Sequence, residues 1–387
     1  MHGDMLKYYS TNQFFLSMMG IWPYQSRTRK ILIRNIPFLY ATWGDLSLTV
    51  ECTVTLILLI GATTKYLNII INNYKIKDLL EMMEDHWQLF QNKYELHILR
   101  YYGNISQLVT KYYSVYINIF AILFMLIPLT PRILDFIKPL NESRPYIFIV
   151  AGEWGVDQVE YYYPILLHCF VCIVISTRCM VNCDTMYIVC VLHSCSLFES
   201  IGIRLENIQN KTEYMEDEVS EKYLKLVIKK NDSEEYRKMI VCLRKHQLAI
   251  EFVDVIESSF KTVTFIILFL NVMILSLIGL QILSKLGQIQ EMIRFGCIAM
   301  GAITHLMSMC IPGQLLVNKS EEVFDKAYNT RWYTFSSKTI RLLRILLYRS
   351  FVPCILTAEN MSVMSVETFS TVMQTAMSYF TTFLSVS

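Results

Sequence analysis

Charge is scarce in this sequence. Only 18% of its 387 residues are Asp, Glu, Lys or Arg, against 53% hydrophobic residues, and the mean hydropathy is +0.36. That balance excludes an ordinary water-soluble chain. The 35 basic and 33 acidic side chains nearly cancel, leaving +2, so there is no field of the kind that draws nucleic acid. Residues 1–20 carry Asp4 and Lys7 and no small-residue cleavage site behind their apolar run, which argues against a cleaved signal peptide. Metal-ligand spacing is missing too. The eleven cysteines are scattered, and the closer pairs Cys169/Cys172 and Cys179/Cys183 share one hydrophobic segment. Buried thiols acting as small apolar groups account for them without a metal or cofactor. No nucleophile–base pair and no phosphate loop is visible, so nothing points to an enzyme.

Long apolar runs are what the chain has instead. Crossing a bilayer takes roughly 20 mostly apolar residues, and five stretches qualify: 46–71, 113–134, 162–191, 263–283 and 293–317. The third contains Arg178 and Asp184 near one end. The terminal segment 364–387 makes a sixth. A further stretch, 31–43, is apolar but short and contains Arg34, Asn35 and Pro37. Just ahead of the terminal segment, 340–358 is amphipathic, with Arg341, Arg344 and Arg349, and Pro353 interrupts it.

Basic residues collect on the cytoplasmic side of a membrane. With 46–71 running inward, the cytoplasmic loops are 72–112, 192–262 and 318–349, and the middle one alone carries eleven Lys or Arg. The outer loops 132–161 and 284–294 carry three and two. The basic cluster Arg27, Arg29, Lys30 and Arg34 then belongs inside, which requires an earlier crossing that only 31–43 can supply. Either that stretch crosses with distorted geometry or part of the first span is missing. The expected fold is all-α: a polytopic membrane protein of seven transmembrane helices, N-terminus cytoplasmic, C-terminus extracellular, the last helix split. Its divisions are a cytoplasmic N-terminus (1–30), helices one to four (31–191), a cytoplasmic loop with helical extensions (192–262), helices five and six (263–317), a cytoplasmic helix and bend (318–363), and the terminal helix (364–387). Asn141, in the sequon Asn141-Glu142-Ser143, falls in an outer loop and is a glycosylation candidate.

The terminal segment carries no charge after Glu367. Its hydroxyls Thr368, Thr371, Thr375, Ser378, Thr382 and Ser385 recur at intervals of 3, 4, 3, 4 and 3, one face of a helix. Such a stripe fits either close helix packing or a water-lined pore. Spacing alone leaves both open.

The C-terminal motifs "RSFVPCILTA" (349–358), "MSVETFSTVM" (364–373) and "SYF" (378–380) resemble those of the insect odorant receptor family. So do "MMGIWPYQ" near the start, "KPLNESRPY" in the second outer loop and "HQLAIEFVDVIESSF" leading into the fifth span. The resemblance implies seven helices with the N-terminus inside, and no enzyme activity. It implies a subunit of an odorant-gated, non-selective cation channel in the dendritic plasma membrane of olfactory neurons. The subunit assembles with a co-receptor into a heterotetramer, anchored by cytoplasmic extensions of helices four to seven. By the same resemblance the last helix lines the pore, with Thr375 and Ser378 along it and Thr382, Ser385 and Val386 at the gate. Hydroxyls in place of bulkier gate residues imply the ligand-tuning subunit. The ligand, a small volatile apolar molecule, is expected in the outer half of helices two to six. Phe120, Phe124, Tyr163, Leu167, Phe170, Met273 and Leu277 are the candidate wall, with His168 a possible polar contact or an interior histidine. A gustatory receptor, echoed by Thr368-Phe369 with Gln374, is the nearer alternative. A G-protein-coupled receptor is the more distant one, and predicts a cytoplasmic C-terminus.

Overall fold

The computed structural model describes residues 46–138, 144–148, 157–208 and 233–386. Among these, nine α-helices and a β-hairpin follow in chain order: α1 (Leu46–Ile71), α2 (Asn73–Leu89), α3 (Lys93–Leu126), α4 (Thr130–Ile137), α5 (Tyr162–Glu206), α6 (Glu234–Ser284), α7 (Ile289–Tyr328), α8 (Ser337–Ser350), strands β1 (Thr357–Ala358) and β2 (Ser362–Val363), and α9 (Val366–Val386). The short stretch 31–43, the N-terminal 1–30 and Asn141 lie outside the described residues.

Inside lipid, a backbone with no water to bind must satisfy its own N–H and C=O groups, and a helix does so within one segment. Five helices are long and apolar enough to cross: α1, α3 with its continuation through Ile137, α5, α6 and α7. They fall on the five apolar stretches. The terminal helix α9 has 21 residues, about 31 Å, which matches a core of roughly 30 Å. The chain is a helical polytopic membrane protein.

The helices are longer than the apolar runs that mark them. α5, α6 and α7 have 45, 51 and 40 residues, about 68, 76 and 60 Å, at least twice the hydrocarbon thickness. Much of the sequence read as basic loop is therefore helix. Local signals start these extensions: the Asn92 side chain accepts from the Tyr94 amide at 3.1 Å ahead of α3, and Ser233 accepts from the Tyr236 amide at 3.4 Å ahead of α6. What holds them is burial. α5 is buried without a break from 181 to 198, so it is a central stem covered on all faces. It is enclosed chiefly by α7 and α3, then by α6 and α1; Leu79, Met83, Trp87 and Phe90 of the α2 region, Phe252 and Met239 of α6, and Leu343 and Leu346 of α8 belong to the same core.

One boundary differs from the sequence reading. The amphipathic segment 340–358 is helical only to Ser350. Pro353 lacks an amide hydrogen and pushes Val352 out of the helical region, so 351–356 runs on as a strap into the hairpin.

Candidate functional site

The hairpin and α9 complete the bundle last. Ser365 opens α9, its hydroxyl accepting from the Thr368 amide at 3.3 Å. The helix packs mainly on α6 and secondarily on α7, burying Val372 and Ala376, with Phe369 against the same core. Close approach is made possible by small residues on the facing helices. The Ser276 hydroxyl donates to the Ala376 carbonyl at 3.3 Å. Gly279 receives the Phe380 ring; a Cβ there would sit 2.7 Å from Phe380 Cδ2. Gly313 receives the α9 approach, since a Cβ would sit 2.2 Å from the Met364 carbonyl oxygen.

The hydroxyl stripe is elsewhere on α9. At about 100° per residue it is centred roughly a third of a turn from the packing face. Ser378, Thr382 and Ser385 are exposed and Thr375 half-buried. Each of Thr371, Thr375, Thr382 and Ser385 donates only to a carbonyl of its own helix, at 3.0, 2.7, 2.9 and 2.7 Å. Val386 ends the helix. Thr368 is the exception: it is buried and donates to the Val363 carbonyl at 2.5 Å, tying α9 to the hairpin. Within the described residues the stripe is thus not what packs α9 onto its own subunit.

The Cys354 amide of the strap donates to the Ser320 hydroxyl at 3.0 Å, and Thr357 of the Leu-Thr-Ala motif anchors its end. The Thr357 amide donates to Glu257 at 2.8 Å and its hydroxyl to the same carboxylate. It also accepts from the Asn360 amide at 3.1 Å. The turn places Glu359 and Asn360 at φ 49° and 57°, a left-handed conformation that suits Asn and strains Glu. Thr262 donates to the Glu359 carboxylate, which fastens the strained residue to α6.

The candidate wall residues do not converge on one place. Phe124 and Phe170 pack around Tyr162, Ile165, Leu166 and Cys169. The Tyr162 hydroxyl donates to the Pro128 carbonyl at 2.9 Å, and the Arg132 guanidinium lies 3.8 Å over the Tyr146 ring above this cluster. Phe120 packs against Tyr116 with the rings tilted and their centroids 4.5 Å apart, and the Thr304 hydroxyl donates to Tyr116 at 3.1 Å. Met273 and Leu277 pack on the main core. Tyr163 and Leu167, 63% and 64% exposed, stand with Val171 and Val174 on an outer stripe of α5. His168 is exposed as well, 3.7 Å from Cys172 Sγ, so it is not an interior histidine. The cause is shared: an apolar stripe facing lipid or a neighbour has the same spacing as one facing a cavity.

Sequence reasoning missed a polar node inside the bundle. Lys65 of α1 pairs with Asp184 of α5. The Tyr113 hydroxyl of α3 donates to the same carboxylate at 2.7 Å. Lys65 Nζ also donates to His305 Nε2 of α7 at 2.5 Å, and the Asn271 amide of α6 lies 3.3 Å from His305 Nδ1. All five residues are buried. The available signal was an ionisable residue in each of three apolar runs; which would meet was not readable from spacing. Among the described residues no His, Cys, Asp and Glu group suited to a metal occurs.

The family model for the 7tm Odorant receptor matches residues 46–377. The chain belongs to the odorant receptor family. Odorant receptor 63a of Drosophila melanogaster is 24% identical to it over 310 residues, which cover 79% of this chain and 67% of that one. The fold of this odorant receptor is also that of the insect olfactory receptor OR5 from Machilis hrabei. The eugenol complex of OR5 superposes with TM-score 0.77 at 11% identity, covering 99% of each chain. A second OR5 structure gives 0.73 at 11% identity, covering 98% of each. The gustatory and G-protein-coupled alternatives give way to this assignment, and the receptor is a multi-pass membrane protein of a receptor family, not an enzyme.

Proposed function

We propose that this odorant receptor is the ligand-tuning subunit of an odorant-gated, non-selective cation channel. It assembles with a co-receptor as a heterotetramer in the dendritic plasma membrane of olfactory sensory neurons. One observation carries the reading: Thr371, Ser378, Thr382 and Ser385 of α9 are exposed and Thr375 is half-buried, on a face that the subunit's own packing does not use. When this helix and the terminal helices of its partner subunits surround an axis, that face meets water and its oxygens replace part of an ion's hydration. Thr375 and Ser378 line the conduit, and Thr382, Ser385 and Val386 form its outer constriction.

The orientation is N-terminus inside and C-terminus outside, supported by the eleven basic residues of 192–262 against three and two in the outer loops. Asn141 carries glycan outside. The ligand is a small volatile apolar molecule, held by burial at about 25 cal/mol per Å² more than by hydrogen bonds. That OR5 was solved with eugenol supports this ligand class. Phe120, Phe124 and Phe170 near one cluster, and Met273 and Leu277 on the main core, are the residues proposed to meet it. Tyr163 and Leu167 take lipid or a neighbouring subunit. An odorant favours the wall geometry of the open state and so shifts the population towards it.

The test is Trp at Thr382 or Ser385, recorded with a co-receptor. A fall in unitary conductance with altered relative permeability to Na⁺, K⁺ and Ca²⁺ is expected. Unchanged conductance and selectivity in both variants defeats the pore assignment.

A further inference from the structure

An ionised side chain within a membrane bundle is costly unless paired, and where one persists it marks function more often than stability. Here the paired charges are almost wholly covered, Lys65 at 3% and Asp184 at 1% side-chain exposure. Five helices each contribute one member: Lys65 from α1, Tyr113 from α3, Asp184 from α5, Asn271 from α6 and His305 from α7. The hub, Asp184, lies within the unbroken buried stretch of the central stem. Beside it a cleft bounded by Asn68, Tyr187, Thr264 and Met309 leaves room for about one water.

What the node touches along the chain matters more than its cost. α6 carries Asn271 and, five and eight residues on, Ser276 and Gly279, the two positions that hold α9 through Ala376 and Phe380. α7 carries His305 and, eight residues on, Gly313, against which Met364 rests at the start of α9. On the other side, Tyr113 lies one turn before Tyr116 on α3, and Tyr116 joins Phe120 to Thr304, the neighbour of His305. Met273 is two residues from Asn271. Both helices that seat the pore helix are therefore hydrogen-bonded to each other at this level, between Asn271 and His305. His305 is in turn bonded to the Lys65–Asp184 pair that binds α1 to the stem.

We propose that Lys65, Asp184, His305, Asn271 and Tyr113 are positioning residues for gating: their exchange of partners relays ligand occupancy among α3, α6 and α7 to α9. The proposal rests on the channel reading above. Hydrogen-bonded charges have discrete partners, and the free space beside Lys65 gives its ammonium somewhere to move. A shift of α6 or α7 against α5 must therefore break the Asn271–His305 or His305–Lys65 contact and remake it. Discrete exchange of this kind, biased at both ends, is what carries coupling through a packed bundle.

The experiment co-expresses the receptor with a co-receptor and measures surface level and dose–response. The probe is the strongest agonist from a panel of short esters, aliphatic alcohols and phenylpropenes. Lys65→Met or Asp184→Asn alone strands a buried charge, and each is expected to cut surface delivery. The double variant K65M/D184N removes both charges. It is expected to regain surface level to within about twofold and to move the half-maximal concentration by about tenfold or more. Unitary conductance and ion selectivity, which α9 sets, stay unchanged. Tyr113→Phe removes one hydroxyl and keeps the shape, and is expected to reach the surface with a shift of about threefold. Half-maximal concentrations unchanged in both variants overturn the proposal, and an unchanged value in Y113F alone overturns it if the double variant stays inside the cell. If the unaltered receptor responds to nothing in the panel, the channel reading fails and takes this proposal with it. Current from the unaltered receptor with unshifted variants defeats the node only.

Discussion

At Gly313 a methyl group has nowhere to go, because its neighbour at 2.2 Å is a backbone carbonyl, not a movable side chain. Gly313→Ala therefore displaces the start of α9, and overpacking of this kind costs about 1–3 kcal/mol. A lowered thermal midpoint in detergent and loss of most surface receptor are expected. Gly279→Ala meets only the Phe380 ring, at 2.7 Å, so it is milder, and pairing it with Phe380→Leu restores surface level; no rescue refutes the contact. A different kind of residue effect sits at His86, which lies outside the spanning segments and 3.2 Å from His193. Burial pulls its pKa down to about 3. Unfolded chain takes up a proton here below about 6.5 while the folded chain stays neutral, so stability from this group falls as pH drops through that window. The loss is at most about 1.4 kcal/mol per pH unit. His86→Phe is expected to flatten the acid limb of thermal midpoint against pH, between roughly 6.5 and 4.

Helix α9 separates two jobs that its sequence superimposes. Its packing face is Val372 and Ala376, and beyond Thr368 the hydroxyls Thr371, Thr375, Thr382 and Ser385 bond only within the helix. Ala376→Leu must therefore disturb the contact with Ser276 and is expected to abolish surface delivery, whereas Ser378→Leu is expected to reach the surface at close to the unaltered level and to alter conduction. Surface biotinylation decides between them. The strap is a second such element: Thr357→Val removes the hydroxyl that donates to the half-buried Glu257 carboxylate while the Thr357 amide stays bonded to it, a loss of about 1.5–3 kcal/mol for one hydrogen bond to a charged group. Surface biotinylation of T357V is expected to show a lowered level, and a level equal to that of the unaltered receptor refutes the anchor.

Across the whole molecule, the outstanding feature is that α5, α6 and α7 run on far beyond one bilayer. Their buried continuation, closed by α2 and α8, makes one end of the subunit a helical mass of its own. The proposed orientation, which rests on the excess of basic residues in 192–262, assigns that end to the cytoplasm. An epitope after Ser387 is thus expected to be stained on intact cells, and one before Met1 only after permeabilisation. The reverse staining pattern refutes the orientation.

Composition and hydropathy alone determined that the chain is a helical membrane protein, because each span must be apolar along a fixed length and the basic residues must avoid one side. The 3-4 spacing alone put the hydroxyls of α9 on one face, since a helix repeats every 3.6 residues whatever surrounds it. Which face packs was decided only by the tertiary structure: Gly279, Ser276 and Gly313 are far away in sequence and are selected by where Phe380, Ala376 and Met364 come to rest. The same holds for the wall. Tyr163 and Leu167 share the apolar character and spacing of cavity residues, and only the bundle shows that they face outward. The node is the clearest case. Lys65, Asp184 and His305 are separated by 119 and 121 residues, and a charge in an apolar run states that a partner must exist without stating which. Folding supplies the partner, because only in the assembled bundle do α1, α5 and α7 bring those three side chains to one point.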